Sequence, residues 1–222
     1  MNLGVGAVGL ALALFYLVWN TNLFNFMDGT DGIAASQTIL ICLGASVLQS
    51  LHLGGLSWIG PILVACCCAG FLTWNRPPAL IFMGDVGSGF LGLLIGGMTL
   101  AYGIEAQEIF WVWMILQGTF IVDATTTILR RYVRGQRVTQ AHRSHAYQHL
   151  ARRVGHQPVM LAYGATTLFW LFPMAYLVVK GTLSGFLGLS VAYTPLVLAA
   201  FWLGAGTSEQ SDRAPINFEG SP

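Results

Sequence analysis

The chain has 222 residues, 55% apolar and only 9% charged, with a formal net charge of +1. A soluble globular domain carries roughly a quarter charged residues, so an ordinary soluble domain is excluded, and with no basic stripe interleaved with aromatics no nucleic acid is expected as a partner. Apolar stretches near the roughly 20 residues that cross a bilayer core predict an all-α fold, a polytopic membrane helical bundle with about seven transmembrane helices.

In chain order the predicted spans are 3–24, 33–51, 57–75, 86–104, 109–129, 159–179 and 183–204. The first has no positive n-region and no A-x-A site, so a cleaved signal peptide is not expected. Connections are short apart from 76–85 and the charged stretch 130–158. One membrane-embedded domain over 1–206 is expected, followed by a polar tail, 207–222, of disordered composition. Cys42, Cys66, Cys67 and Cys68 lie inside apolar stretches without C-x-x-C spacing and read as packing residues.

The wet end of the first span carries the first polar cluster, NLFNFMDGTDG, from Asn22 to Gly32. At helical rise, Asn22, Asn25 and Asp28 fall roughly on one face, with Asp31 one turn further and Gly29 and Gly32 free to turn the chain. A helix cap needs one such residue; four argue for a site, because acids and amides at a membrane boundary are costly without a partner or a role.

The fourth span opens on a second cluster, FMGDVGSGFLG, from Phe82 to Gly92. Asp85 in the first turn is favoured by the helix dipole alone, and the glycines suit close helix packing. The G-K-[ST] ending of a P-loop is missing. The functional reading is a hard-metal site: magnesium takes oxygen ligands, often one or two carboxylates plus substrate phosphates, and Asp85 with Asn25 or Asp28 supplies them.

The basic loop holds the third cluster, AHRSHAYQHLARR, from Ala141 to Arg153. His142 and His145 are three apart and share a face if the segment is helical, with Arg143 between them and His149 beyond. Arginine binds phosphate bidentately and histidine donates to phosphate or moves protons near neutrality. The alternative is a basic patch that only fixes topology or touches anionic lipid. Asp123, inside the fifth span, reads as structural, ion-paired with Arg130 or Arg131 or with another helix. His52, Glu105 and Glu108 read as solvated residues of turns on the opposite side.

Basic residues set the orientation. Seven arginines lie in 130–158, Arg76 in the 76–85 loop and Arg213 in the tail; with seven spans only Lys180 falls on the other side. The positive-inside rule makes the arginine side, which carries all three clusters, the cytoplasmic one. Metal-holding acids facing phosphate-binding cations form the inventory of phosphoryl transfer, and a site at the membrane suggests that one substrate is a lipid.

NLFNFMDGTDGIA, FMGDVGSGFLG and AHRSHAYQHL, in this order between spans, resemble the polyprenyl-phosphate N-acetylhexosamine-1-phosphate transferases (glycosyltransferase family 4) over nearly the whole chain. The A-H-R-S-H form resembles the branch that initiates O-antigen or other surface polysaccharide; the peptidoglycan branch has three consecutive histidines there. The resemblance implies transfer of an N-acetyl sugar 1-phosphate (deoxy sugars included) from a UDP-sugar to undecaprenyl phosphate, with release of UMP, at the cytoplasmic face of a bacterial inner membrane. It implies magnesium, with manganese as the alternative. By position, Asp85 matches the metal-binding aspartate and Asn25 the asparagine beside the metal. Asp28 and Asp31 match acids of the polar site, the general base being unassigned, and His142 and His145 the outer histidines, with Arg143 and Asn22 as substrate contacts.

Members of that family carry further spans at the N-terminus and a loop with adjacent aspartates, whereas this sequence has no Asp before Asp28 and no D-D pair. It reads as the C-terminal portion of the family fold, with a homodimer or a separate N-terminal half as partner and feeble activity alone. A non-catalytic remnant is the alternative. A transporter is the third reading, disfavoured because the acids gather at one face and no discontinuous helix pair is evident.

Overall fold

The structure, a computed structural model, describes residues 6–137 and 143–207. It is all-α: no strand occurs among the described residues. Five helices are long and apolar enough to cross a membrane. These are α1 (Ala7–Met27), α2 (Ile33–His52), α4 (Gly84–Glu105), the continuous helix 156–179 and α10 (Gly185–Trp202). The third predicted span is the shorter α3 (Ile59–Asn75). The fifth is broken: α5 (Gln107–Leu116) and α6 (Gly118–Val133) meet at 67°. Every predicted span thus falls on helix, but long straight spans number five, or six if the bent pair is one.

The break falls at a buried polar side chain. Gln117 between the two halves is fully buried, and a buried amide needs partners. Its Nε2 donates to Trp113 O (3.0 Å), Thr99 Oγ1 (3.1 Å) and Tyr16 Oη (3.3 Å). Hydropathy does not show this, since the polar Gln117–Gly118–Thr119 step is only three residues within a long apolar stretch.

The continuous helix runs from α8 (His156–Thr166) through a π turn (Thr167–Leu171) into α9 (Phe172–Val179). Between α6 and α8 lies the amphipathic α7 (Ala146–Val154), which the sequence left as part of a charged connection. α1 packs chiefly on α4, and α2 on α3. The α1–α4 crossing is close because Gly92 has no side chain: a Cβ there meets Asn20 O at 2.4 Å, and Asn20 Nδ2 donates to Gly92 O at 2.8 Å. Phe24, Trp113, Phe120 and Tyr147 fill the centre, with Phe24 edge-on to Phe120 at 5.2 Å. Outward-facing Leu10, Leu14, Phe15 and Val18 on α1 are exposed, as lipid contact requires.

At the end of the bundle away from the polar clusters, His52 and Glu108 approach to 3.5 Å, so these two turn residues are paired rather than independently solvated. The polar tail expected over 207–222 falls outside the described residues except for Thr207.

Candidate active site

α1 ends where apolar sequence gives way to Asp28, and α2 begins after Gly32, whose φ of +75° is a left-handed turn that a side chain would strain. The chain therefore reverses over only 28–32. Asn75, at the last position of α3, braces this turn: its Oδ1 accepts from the Gly32 N–H (3.1 Å) and its Nδ2 donates to Ile81 O (2.8 Å). The 28–32 turn and the 76–83 loop are thereby tied together. Between them and the first turn of α4 opens a cleft of about 200 Å³ lined by Asn25, Asp28, Gly29, Thr30, Asp31, Asn75, Phe82, Met83, Gly84 and Asp85.

Asp28 and Asp85 thus share one cleft although 57 positions separate them in the chain (85 less 28). Burial, and secondarily the Asp85 charge, push the Asp28 carboxyl up to about 7. No ion pair to either acid forms among the described residues, so none of these offsets that repulsion. Asn25 stands beside them, its Nδ2 donating to Ser88 Oγ at 3.3 Å, which leaves the amide oxygen as a ligand. Two carboxylates and an amide oxygen fit a magnesium ion that keeps waters or takes substrate phosphate. They do not make a closed all-protein cage: no group of three or more His, Cys, Asp or Glu positioned for a metal occurs among the described residues.

Asp31 is committed differently. Its Oδ2 accepts from the Ala79 N–H (3.1 Å) and its Oδ1 lies 3.2 Å from His156 Nδ1. It lines the cleft but fastens the 76–83 loop and the start of α8 to the turn. Asn22 does not line the cleft; exposed on α1, it donates back to Val18 O at 3.0 Å.

The histidine cluster docks behind this turn. Asp123, 3% exposed, receives the Ala146 N–H on Oδ1 and the Tyr147 N–H on Oδ2, both at 2.9 Å. Tyr163 Oη adds a 2.6 Å bond to Oδ2 and Thr127 Oγ1 a 3.3 Å bond to Oδ1. The carboxylate therefore satisfies the first free amides of α7 and meets the positive end of its dipole. Of the partners expected for Asp123, Arg130 and Arg131 serve protein carbonyls and Ser144 instead, and groups of other helices, α7 and α8, take the structural role.

Tyr147, fully buried, reaches from α7 to donate to Phe26 O at 2.8 Å. Burial pushes its hydroxyl pKa up, so it stays a donor. Gly29 makes room for it: a Cβ there meets Tyr147 Oη at 2.1 Å. His145 is 2% exposed, stacked on Phe26 at 6.0 Å, with Nδ1 3.4 Å from Asp123 Oδ1. It is brought next to the 25–31 segment but buttresses it rather than lining the cleft. Arg143 is exposed, and its carbonyl accepts from Arg152 Nη1 at 3.0 Å. His142 lies outside the described residues.

Asn75, Tyr147 and His156 were not singled out by sequence. Asn75, a lone amide closing an apolar stretch, carried a signal; Tyr147 and His156 carried none.

Comparison with known proteins bears on this cleft. Residues 1–103 match glycosyl transferase family 4. The match contains both acid clusters and stops before the histidine loop. A phospho-N-acetylmuramoyl-pentapeptide-transferase of Acaryochloris marina is 33% identical over 132 residues, 58% of this chain and 33% of that protein. Proteins of the same name from Chlamydia muridarum (33%) and Chlamydia trachomatis (32%) align over 123 residues, 54% of this chain and 35% of each relative. The chain thus covers about a third of these relatives' length. Neither the family 4 match nor these relatives reach the O-antigen branch that A-H-R-S-H resembles.

Proposed function

We propose that the cleft is the nucleotide-sugar and cation site of a membrane transferase that moves an N-acetyl sugar 1-phosphate from a UDP-sugar to undecaprenyl phosphate. The observation that carries this is the shared cleft of Asp28, Asp85 and Asn25, with no ion pair to either acid among the described residues. In the reaction an oxygen of the acceptor phosphate bonds to the phosphorus bearing the sugar, and the bond from that phosphorus to the UMP oxygen breaks. Magnesium, or manganese in its place, supplies charge neutralisation on the diphosphate when bound. Asp85 and Asp28 would hold that cation, with the amide oxygen of Asn25, whose Nδ2 is bound to Ser88, as a further ligand. Asp31 keeps the 76–83 wall in place. Arg143, whose guanidinium has no protein partner among the described residues, is free to swing to a phosphate.

Exposed apolar residues at and beside the cleft, Phe82 and Val86, suit a substrate that arrives from the bilayer. By the positive-inside rule the arginine-rich end faces the cytoplasm, in keeping with a bacterial inner membrane as the setting of the proposed reaction. For the donor, A-H-R-S-H favours the O-antigen or surface-polysaccharide branch, whereas the aligned relatives favour UDP-N-acetylmuramoyl-pentapeptide.

Magnesium-dependent exchange of labelled UMP into a UDP-sugar tests the reading, with UDP-N-acetylglucosamine and UDP-N-acetylmuramoyl-pentapeptide as separate donors. Asp85→Asn is expected to lower exchange by about a hundredfold or more, the scale of losing one electrostatic stabiliser of the transition state. Exchange unaffected by Asp85→Asn refutes the assignment.

A further inference from the structure

Beyond the last turn of α10 the chain folds back over 203–207 onto the loop before α7. The Gly206 N–H donates to Ser144 O at 2.7 Å. Arg130 Nη1 donates to Ala205 O at 2.6 Å and Arg134 Nη1 to Gly206 O at 3.2 Å. Ala205, fully buried, packs with Ala146 and Ala200 in a small cluster apart from the main core. The turn thus grips both neighbours of His145: Ser144 through the backbone and Ala146 through packing. It needs glycine, since Gly206 sits at φ +73° and a Cβ there meets Arg130 Cβ at 2.8 Å and Thr127 O at 3.0 Å.

From there the contacts run on to the cleft. Ala146 and Tyr147 hang from Asp123, and Tyr147 Oη holds Phe26 O, two residues before Asp28. Four of the arginines that give this end of the bundle its charge are spent on protein carbonyls along this path: Arg130, Arg131, Arg134 and Arg152.

We infer that the 203–207 turn is a positioning element: by clamping the start of α7 it fixes the 26–31 segment and hence Asp28. The importance of that for turnover rests on the function proposed above, but the positioning itself does not. Arg130, Arg134 and Gly206 touch no group of the cleft; they act through α7.

The test is hydrogen exchange of the full chain in detergent micelles, without substrate, read separately over 144–148, 26–31 and the distal 107–116. Gly206→Ala is expected to speed exchange roughly tenfold over both 144–148 and 26–31, the scale of forcing a side chain into a left-handed conformation, with 107–116 unchanged. Because Gly206→Ala risks misfolding, Arg134→Met is the second variant. It removes one partly exposed hydrogen bond, with about threefold faster exchange over the same two segments expected, and Arg134→Lys, which keeps a donor, is expected to restore most of it. Unchanged exchange over 26–31 in a folded Gly206→Ala or Arg134→Met protein overturns the inference, as does uniform acceleration that includes 107–116. Manganese binding, followed by electron paramagnetic resonance, separates the two readings. Asp85→Asn is expected to lose it while α7 stays protected; a wild-type chain that binds no manganese refutes the cation site and leaves the exchange result to judge the turn.

Discussion

Replacing Asp123 by asparagine isolates what holds α7 in place. The carboxylate accepts two backbone N–H groups, one on each oxygen, and two hydroxyls, also one on each. Asparagine keeps a single oxygen. The hydroxyls of Thr127 and Tyr163 can rotate and accept from the new NH2 group, but a backbone N–H cannot reverse. Whichever way the amide turns, Ala146 or Tyr147 is left with a buried donor facing a donor. An unsatisfied buried N–H costs about 1–3 kcal/mol, and the surviving bonds weaken from charge-assisted to neutral by about 1 kcal/mol. The expected destabilisation is therefore about 2–4 kcal/mol at a site 3% exposed. Unfolding by sodium dodecyl sulfate in mixed micelles measures it, and hydrogen exchange at Ala146 and Tyr147 localises it. A change under about 0.5 kcal/mol, or a larger one with α7 exchange unaltered, refutes the account of Asp123 as the anchor of α7.

Two further outcomes follow from the cleft and from the helix crossing behind it. In chelator, stability is expected to fall as pH rises from about 4 to about 7: the Asp28 carboxyl, raised from 3.8 to about 7, binds its proton in the folded chain across that window and not in the unfolded one. Melting curves across that range check the sign, and a flat or rising profile contradicts it; added magnesium should flatten the decline. Gly92→Ala should destabilise the bundle by about 1–3 kcal/mol through overpacking at Asn20, whereas Gly97→Ala, with nothing within 4 Å of a Cβ, should stay within about 0.5 kcal/mol in the same micelle unfolding assay.

The positions of the helices were legible because lipid demands long apolar runs, and each of the seven runs is helical. What hydropathy cannot convey is where a run stays straight: the Gln117 break depends on Thr99 and Tyr16, which are remote in sequence. The shared cleft of Asn25, Asp28 and Asp85 was legible from parity, since alternate connections of a helical bundle emerge on one side. Charge was the misleading signal. The arginines around the histidine loop read as a phosphate-binding surface, yet most of those described here serve carbonyls. Asp123 reads as structural, and it is, but its partners are amides of α7 rather than an arginine. Neither outcome could be told from residue type, because a guanidinium satisfies a carbonyl and a phosphate with the same donors.

Asn20 and Gly92 lock α1 to α4 about two helical turns below the acids that these helices carry at their ends. The distance between Asp28 and Asp85 is therefore set by a backbone-to-backbone contact well below them, and a side chain added at Gly92 would be felt at both acids without touching either.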